Sequence, residues 1–169
     1  MISAMRCIFL CADGLDLGIH EFRERHDPLS NFLEPHITLV FPFKMNISDE
    51  VLVDQVSSKI SSFTSFVASI HHQPTIESNC MYLEVKEGSA EIKALHNLLY
   101  TGLLEQLRQD RLYIPHITIG RVNSESAQYV IEDAKRLQFE TKFMINRLKV
   151  ERIGPNGESI IISEHYLDA

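Results

Sequence analysis

The sequence predicts an α+β fold in which two pseudo-equivalent lobes, approximately residues 1–76 and 77–169, carry two mostly antiparallel sheets with helices packed outside. Three observations predict it. The tetrapeptide Pro-His-Ile-Thr occurs at 35–38 and again at 115–118, which sets the two histidines 80 positions apart (116 − 36 = 80). Around each copy the apolar periodicity reads strand, helix, motif strand, helix, strand, and one further strand closes the chain. No low-complexity or Pro/Gly-rich linker separates the halves, so they read as lobes of a single domain over 1–169.

Each element has its own local signal. "MRCIFLCA" at 5–12 is nearly all apolar and ends in Asp13-Gly14, a buried strand running into a turn. A helix follows over 15–26 and stops at Asp27-Pro28, because the residue before proline avoids the helical region. The first motif strand runs to 43. Ser48 then serves as N-cap, with Asp49 and Glu50 favourably placed in the first turn of a helix to about 62. Loose alternation over 64–73 and a run at 79–86 give two strands. Ser89 is placed to cap a helix in which Ile92, Leu95, Leu99, Leu103 and Leu107 recur at helical spacing. After the second motif strand, Ser124 opens a helix to about 138. Strands near 140–152 and 159–166 are joined by "GPNGE" as a hairpin turn.

Composition narrows the function. With 169 residues and 44% hydrophobic content the chain can bury one sizeable core. No run approaches the roughly 20 apolar residues of a membrane span, and "CIFLCA" is too short and too weakly flanked by positive charge for a signal peptide. The expectation is a soluble, cytoplasmic protein with no membrane association. Cys7, Cys11 and Cys80 lack CxxC or CxxH spacing, which suggests buried hydrophobes rather than disulfides or zinc ligands. Net charge is −7. Residues 1–84 carry 5 basic and 11 acidic side chains, and residues 85–169 carry 11 and 12. That balance argues against holding long nucleic acid by counterion release, but leaves open a small phosphorylated ligand or one nucleic-acid end.

Side chains alternate faces along a strand, so His36 and Thr38 share one face while Ile37 and Leu39 take the other; His116 and Thr118 stand likewise against Ile117 and Ile119. Each motif thus buries aliphatics and offers an imidazole beside a hydroxyl. Pro35 and Pro115 suit strand entry, where a missing N–H costs least. If the lobes are related by a pseudo-twofold axis, the two pairs face each other across a central cleft. One imidazole then accepts a proton while the other donates one, and the hydroxyls bond the oxygens of an anion between them. Phosphodiester chemistry without a metal or other cofactor fits this set, and strained cyclic phosphates are the easiest substrates.

The motifs His36-Ile37-Thr38-Leu39 and His116-Ile117-Thr118-Ile119, in two similar halves, resemble the paired HxTx motifs of the 2H phosphoesterase superfamily. The segment "RERHDPLSNFLEPHITLVFPF" is similar to the bacterial 2'-5' RNA ligase and cyclic phosphodiesterase branch. The resemblance implies a bilobal fold with a cleft, catalytic roles for His36 and His116, and phosphate binding by Thr38 and Thr118. It also implies, as substrate, an RNA end or small nucleotide with a 2',3'-cyclic phosphate or 2'-5' linkage. Many relatives carry an arginine three residues after the second threonine, here Arg121. Strict alternation points Arg121 away from His116, and Gly120 between them offers either a bulge or the strand's end to turn it back. The first motif has Val40 and Phe41 where symmetry would put an arginine, so one half alone supplies a cation. Phe41 and Tyr113 lie beside the motifs, placed either to stack on a base or to join the core.

Other features read more plainly. His71-His72 are neighbours on a strand and point apart, which disfavours a shared metal. His20 and His96 fall on helices as solvent or core-edge residues, and Phe22 to His26 reads as a solvated helix face. Neither GxGxxG nor GxxxxGK is present, which argues against a nucleoside triphosphatase. A non-catalytic module binding an RNA end or nucleotide in the same cleft is the alternative, and a third His or a carboxylate near the cleft would be needed for a metal hydrolase.

Overall fold

A computed structural model describes residues 3–169. β1 (Met5–Cys11) leads to α1 (Leu17–His26) and a 3-10 turn at Pro28–Asn31, then β2 (His36–Lys44) and α2 (Asp49–Ile60). β3 (Phe66–Ser69), β4 (Thr75–Glu77) and β5 (Cys80–Glu84) precede α3 (Ser89–Leu99), a 3-10 turn at Gly102–Leu107 and β6 (His116–Arg121). α4 (Ala127–Arg136) is followed by β7 (Lys142–Ile145), β8 (Arg147–Ile153) and β9 (Ser159–Tyr166). The architecture is α+β, and all paired strands are antiparallel.

Most local signals are realised. Ser48 accepts from the Val51 N–H at 3.3 Å, and α2 turns Leu52, Val56 and Ile60 inward. Asp27 ends α1 and caps the turn beginning at Pro28. The hairpin between β8 and β9 closes through Gly154 N–H to Glu158 carbonyl at 2.9 Å, with Gly157 at φ 83° where a side chain would be strained.

Four helix boundaries differ from the sequence expectation, each for a local reason, and the strand expected over 64–73 shortens to β3. α1 starts at Leu17 because the Asp16 carboxylate caps it from Gly18 N–H at 2.8 Å. α3 is entered through left-handed Gly88, which leaves Ser89 as its first residue rather than its cap. The helix ends at Leu99, and left-handed Gly102 at φ 63° starts a separate turn that carries Leu103 and Leu107. Ahead of α4 the side chain of Asn123, not that of Ser124, accepts from the Glu125 and Ser126 N–H groups.

In place of the two sheets expected, the strands form a four-stranded sheet in the order β2-β1-β8-β9, a three-stranded sheet β4-β5-β6, and a separate pair β3-β7. The expected strand over 140–152 is therefore two strands, divided at Asn146, that pair with different partners. β2 and β6 are edge strands that lie against each other. The helices are exchanged: α3 packs on β2, and α1 packs on β6. Ile8, Leu10, Ile37, Leu39, Leu148 and Val150 are fully buried, each contributing roughly 1.5–3 kcal/mol over exposure.

Candidate active site

Register builds the same constellation twice. His36 stands opposite Cys11 and Thr38 opposite Phe9; His116 stands opposite Glu84 and Thr118 opposite Tyr82. Residues directly opposite share a face, so an aromatic ring from the neighbouring strand lies beside each histidine. Phe9 and His36 have centroids 4.9 Å apart, and Tyr82 and His116 4.5 Å, both tilted. The four motif side chains are half-buried, while Ile37, Leu39, Ile117 and Ile119 are fully buried. Even the strand entries match: Ala12 N–H donates to the Pro35 carbonyl at 3.3 Å and Val85 N–H to the Pro115 carbonyl at 2.9 Å.

Both imidazoles are held by the same atom. His36 Nδ1 lies 2.9 Å from the Glu34 carbonyl and His116 Nδ1 2.7 Å from the Ile114 carbonyl. A carbonyl only accepts, so each Nδ1 carries the proton and donates. In the neutral ring this leaves Nε2 with a free lone pair. Each histidine is oriented to take a proton at Nε2 or, once protonated, to give one there.

A bulge shapes the end of both motifs. Thr38 faces Phe9 and Val40 faces Ile8, so β2 spends two residues where β1 spends one; Thr118 faces Tyr82 and Gly120 faces Met81 in the same way. Two consecutive residues, Leu39-Val40 and Ile119-Gly120, can then both be buried. The next residue returns to the outer face. Arg121 pairs with Cys80, which shares its face with Tyr82 and Glu84, so Arg121 stands on the side of His116 and Thr118 and donates to the Cys80 sulfur. Gly120 leaves room for this: a Cβ there would sit 3.2 Å from His26 Cβ and 3.5 Å from its carbonyl.

Electrostatics distinguish the first histidine. Burial holds the His36 imidazole below the ordinary histidine value; the Glu34 and Asp27 oxygens push back, and the positive charges of Arg23 and His116 add to the lowering. His36 is thereby biased toward its neutral form near pH 7. Cys11 beside it is no nucleophile, because burial, with the nearby charge of Glu34, pushes its thiol up to about 12.

Several supporting residues escaped the sequence reading. Arg23 is 2% exposed and bonds Asp27 Oδ2 twice, at 3.1 and 3.0 Å, and the Leu33 carbonyl at 3.0 Å, pinning the turn that delivers β2. The expected solvated face is thus buried at Phe22, Arg23 and His26, because α1 packs on β6. Behind Glu34, Arg147 pairs with Asp13 at 2.7 Å and Glu164 at 2.7 Å, and Lys149 reaches Glu34 itself. Alternation of Arg147, Lys149 and Glu151 along the last strands was the available signal. His96 donates from Nδ1 to the Leu39 carbonyl at 2.7 Å and stacks on Tyr113 at 3.6 Å and 1°.

His36, Thr38, His116, Thr118 and Arg121 therefore stand on matching faces of two touching strands. Phe41 and Tyr113 lie beyond the bulge of β2, edge to face at 6.3 Å. Among the described residues, no group of three or more His, Cys, Asp and Glu side chains is arranged to hold a metal ion.

The model of the 2'-5' RNA ligase superfamily matches residues 12–156, which takes in both motif strands and all four helices. The chain belongs to the 2'-5' RNA ligase superfamily. Among similar proteins, one from Geobacillus thermodenitrificans (strain NG80-2), named "Putative phosphoesterase", is 32% identical over 115 residues, 60% of each chain. Another so described, from Bacillus cereus (strain B4264), is 32% identical over 108 residues, 62% of this chain and 61% of its own. The chain spans about 60% of the length of these relatives. The fold is that of Escherichia coli LigT: the apo structure aligns with a TM-score of 0.68 over 100% of both chains at 14% identity. LigT with 3'-AMP aligns at 0.66, covering 98% and 99% at 16% identity. No helix among the described residues is long and apolar enough to cross a membrane.

Proposed function

We propose that this protein is a metal-independent phosphoesterase that acts on 2',3'-cyclic phosphate or 2'-5' phosphodiester bonds of RNA ends or small nucleotides. The observation that carries this reading is the matched pair of imidazoles, each with Nδ1 on a backbone carbonyl and Nε2 free for proton transfer. His36, favoured in its neutral form, takes a proton from the attacking water or hydroxyl at Nε2. His116, protonated at Nε2, delivers its proton to the leaving ribose oxygen as the P–O bond breaks. One proton is taken and one returned, so the two side chains supply both transfers. Thr38 and Thr118 donate hydroxyl hydrogen bonds to the non-bridging oxygens, and Arg121 adds the charge that stabilises them. Phe41 and Tyr113 contribute apolar surface on the first-motif side. LigT has been solved with 3'-AMP, and a nucleoside 3'-phosphate is one of the two products of opening a 2',3'-cyclic phosphate.

The test is turnover of a 2',3'-cyclic-phosphate mononucleotide and oligoribonucleotide with EDTA present, for wild type, His36→Ala and His116→Ala. Each substitution is expected to lower kcat by about 10²-fold or more with the fold retained by circular dichroism. A bell-shaped profile is expected, with its acidic limb below the ordinary histidine value of about 6.5, because His36 must be neutral and its pKa is lowered. Saturable binding with no turnover in the wild type would make the protein a binding module instead.

A further inference from the structure

The two motifs are alike as far as the bulge and then part. Three residues after the motif threonine stands Arg121 in one half (118 + 3 = 121) and Phe41 in the other (38 + 3 = 41). A cation nevertheless lies at Phe41: the Arg111 guanidinium carbon sits 4.7 Å from the centre of its ring. Arg111 comes from the segment leading into the second motif. Two residues on, Tyr113 Oη donates to the Thr38 carbonyl at 2.7 Å and its ring lies flat on His96, so this segment is tied to the first motif strand.

Arg111 does not stand alone. With Lys93, His96, Asn97, Arg108 and Tyr113 it lines a recess of about 230 Å³. Arg108 bonds only a carbonyl, that of Asn97 at 3.1 Å, and none of the three cations joins an ion pair among the described residues. In a chain of net charge −7, three cations without carboxylate partners around one recess create a local field of the opposite sign. Counted along β1, where Phe9 faces Thr38 and Ile8 faces Val40, Phe41 stands roughly 5–7 Å beyond Thr38. The recess is lined by none of His36, Thr38, His116 and Thr118, so a phosphate in it occupies a position apart from the reacting one.

We propose that this recess binds a second phosphate group of the substrate, one that is not cleaved, with the planar guanidinium of Arg111 as its main contact. The preferred substrate then carries a phosphate beyond the reacting one. This rests on the phosphoesterase reading above.

The experiment compares kcat/KM of wild type, Arg111→Ala and Arg111→Lys on three cyclic-phosphate substrates. They are a nucleoside 2',3'-cyclic phosphate, its 5'-phosphorylated form and a dinucleotide ending in the cyclic phosphate. Arg111→Ala is expected to cost at least tenfold more on one or both phosphate-bearing substrates than on the minimal one, with partial recovery in Arg111→Lys. A selective loss on the 5'-phosphorylated nucleotide assigns the recess to a terminal phosphate, and a selective loss on the dinucleotide to an internucleotide one. Equal losses on all three, or none, overturn the proposal. If the wild type turns over none of them and does not cleave a 2'-5'-linked dinucleotide either, the phosphoesterase reading has failed, and calorimetric binding of a nucleoside 3',5'-bisphosphate against the 3'-monophosphate decides the recess alone. An advantage for the bisphosphate that Arg111→Ala abolishes sustains it; equal affinities reject it.

Discussion

The hydroxyl of Tyr113 donates a 2.7 Å hydrogen bond to the carbonyl of Thr38, so a side chain three residues ahead of the second motif holds the backbone of the first. The contact runs from the segment leading into β6 to β2 at the bulge, where β2 has lost its regular ladder. Tyr113→Phe keeps the stack on His96 and removes only this bond. It is expected to lower unfolding free energy by about 1 kcal/mol in urea titration and to lower kcat/KM. Unchanged stability and activity would mean that the Thr38 carbonyl is held well enough without it.

Gly120 is required by space rather than by backbone angle. A methyl group there meets His26 at the end of α1, 3.2 Å from its Cβ and 3.5 Å from its carbonyl oxygen, so α1, which packs on β6, must give by a few tenths of an ångström. Gly120→Ala is expected to cost about 1–3 kcal/mol in thermal or chemical denaturation and to displace Arg121. A fully stable variant with wild-type turnover would show that the contact relaxes freely.

The pair Arg23–Asp27 is 2% exposed at both side chains. Arg23→Ala leaves a buried carboxylate without its cation and is expected to cost about 3–5 kcal/mol. The double variant Arg23→Met, Asp27→Leu removes both charges and should recover much of that loss. Hydrogen exchange at Leu29, Phe32 and Leu33, whose N–H groups close this turn, should quicken in Arg23→Ala. Exchange that stays slow there would count against a role in delivering His36.

Glu151 is 2% exposed, and burial raises its carboxyl above the ordinary value, opposed by the Ser159 hydroxyl that donates to it. Because the folded chain holds this proton more tightly than the unfolded one, its contribution favours folding below about pH 4.5 and is lost as pH rises through the folded value. Glu151→Gln keeps an acceptor for Ser159 and carries no charge. Its Tm should exceed that of the wild type at pH 7, and the gain should shrink by pH 4. A gain independent of pH would point to packing instead.

Local order was legible because its signals lie within a few residues. The alternation of His36, Ile37, Thr38 and Leu39 told which side chains are buried, and Ser48 and Pro28 marked a helix start and a helix end. The repeated motif pointed to the superfamily to which the chain belongs, and Gly120 hinted at the bulge that returns Arg121 to the face of His116. Alternation alone gives the opposite answer for Arg121, since one extra residue in a strand reverses every side chain after it.

Neighbouring residues alone thus specify the pair of HxT strands, their buried aliphatics and the helices between them. Tertiary structure decided that β8 and β9 join the sheet of β1, that α1 and α3 cover each other's motif strand, and that Arg23 is buried. It also brought Arg111 over Phe41, across 70 positions of chain (111 − 41 = 70). Periodicity and capping are properties of neighbouring residues. Strand partners and stacked rings are settled by which distant surfaces exclude water together, and a single chain read in order carries no record of that choice.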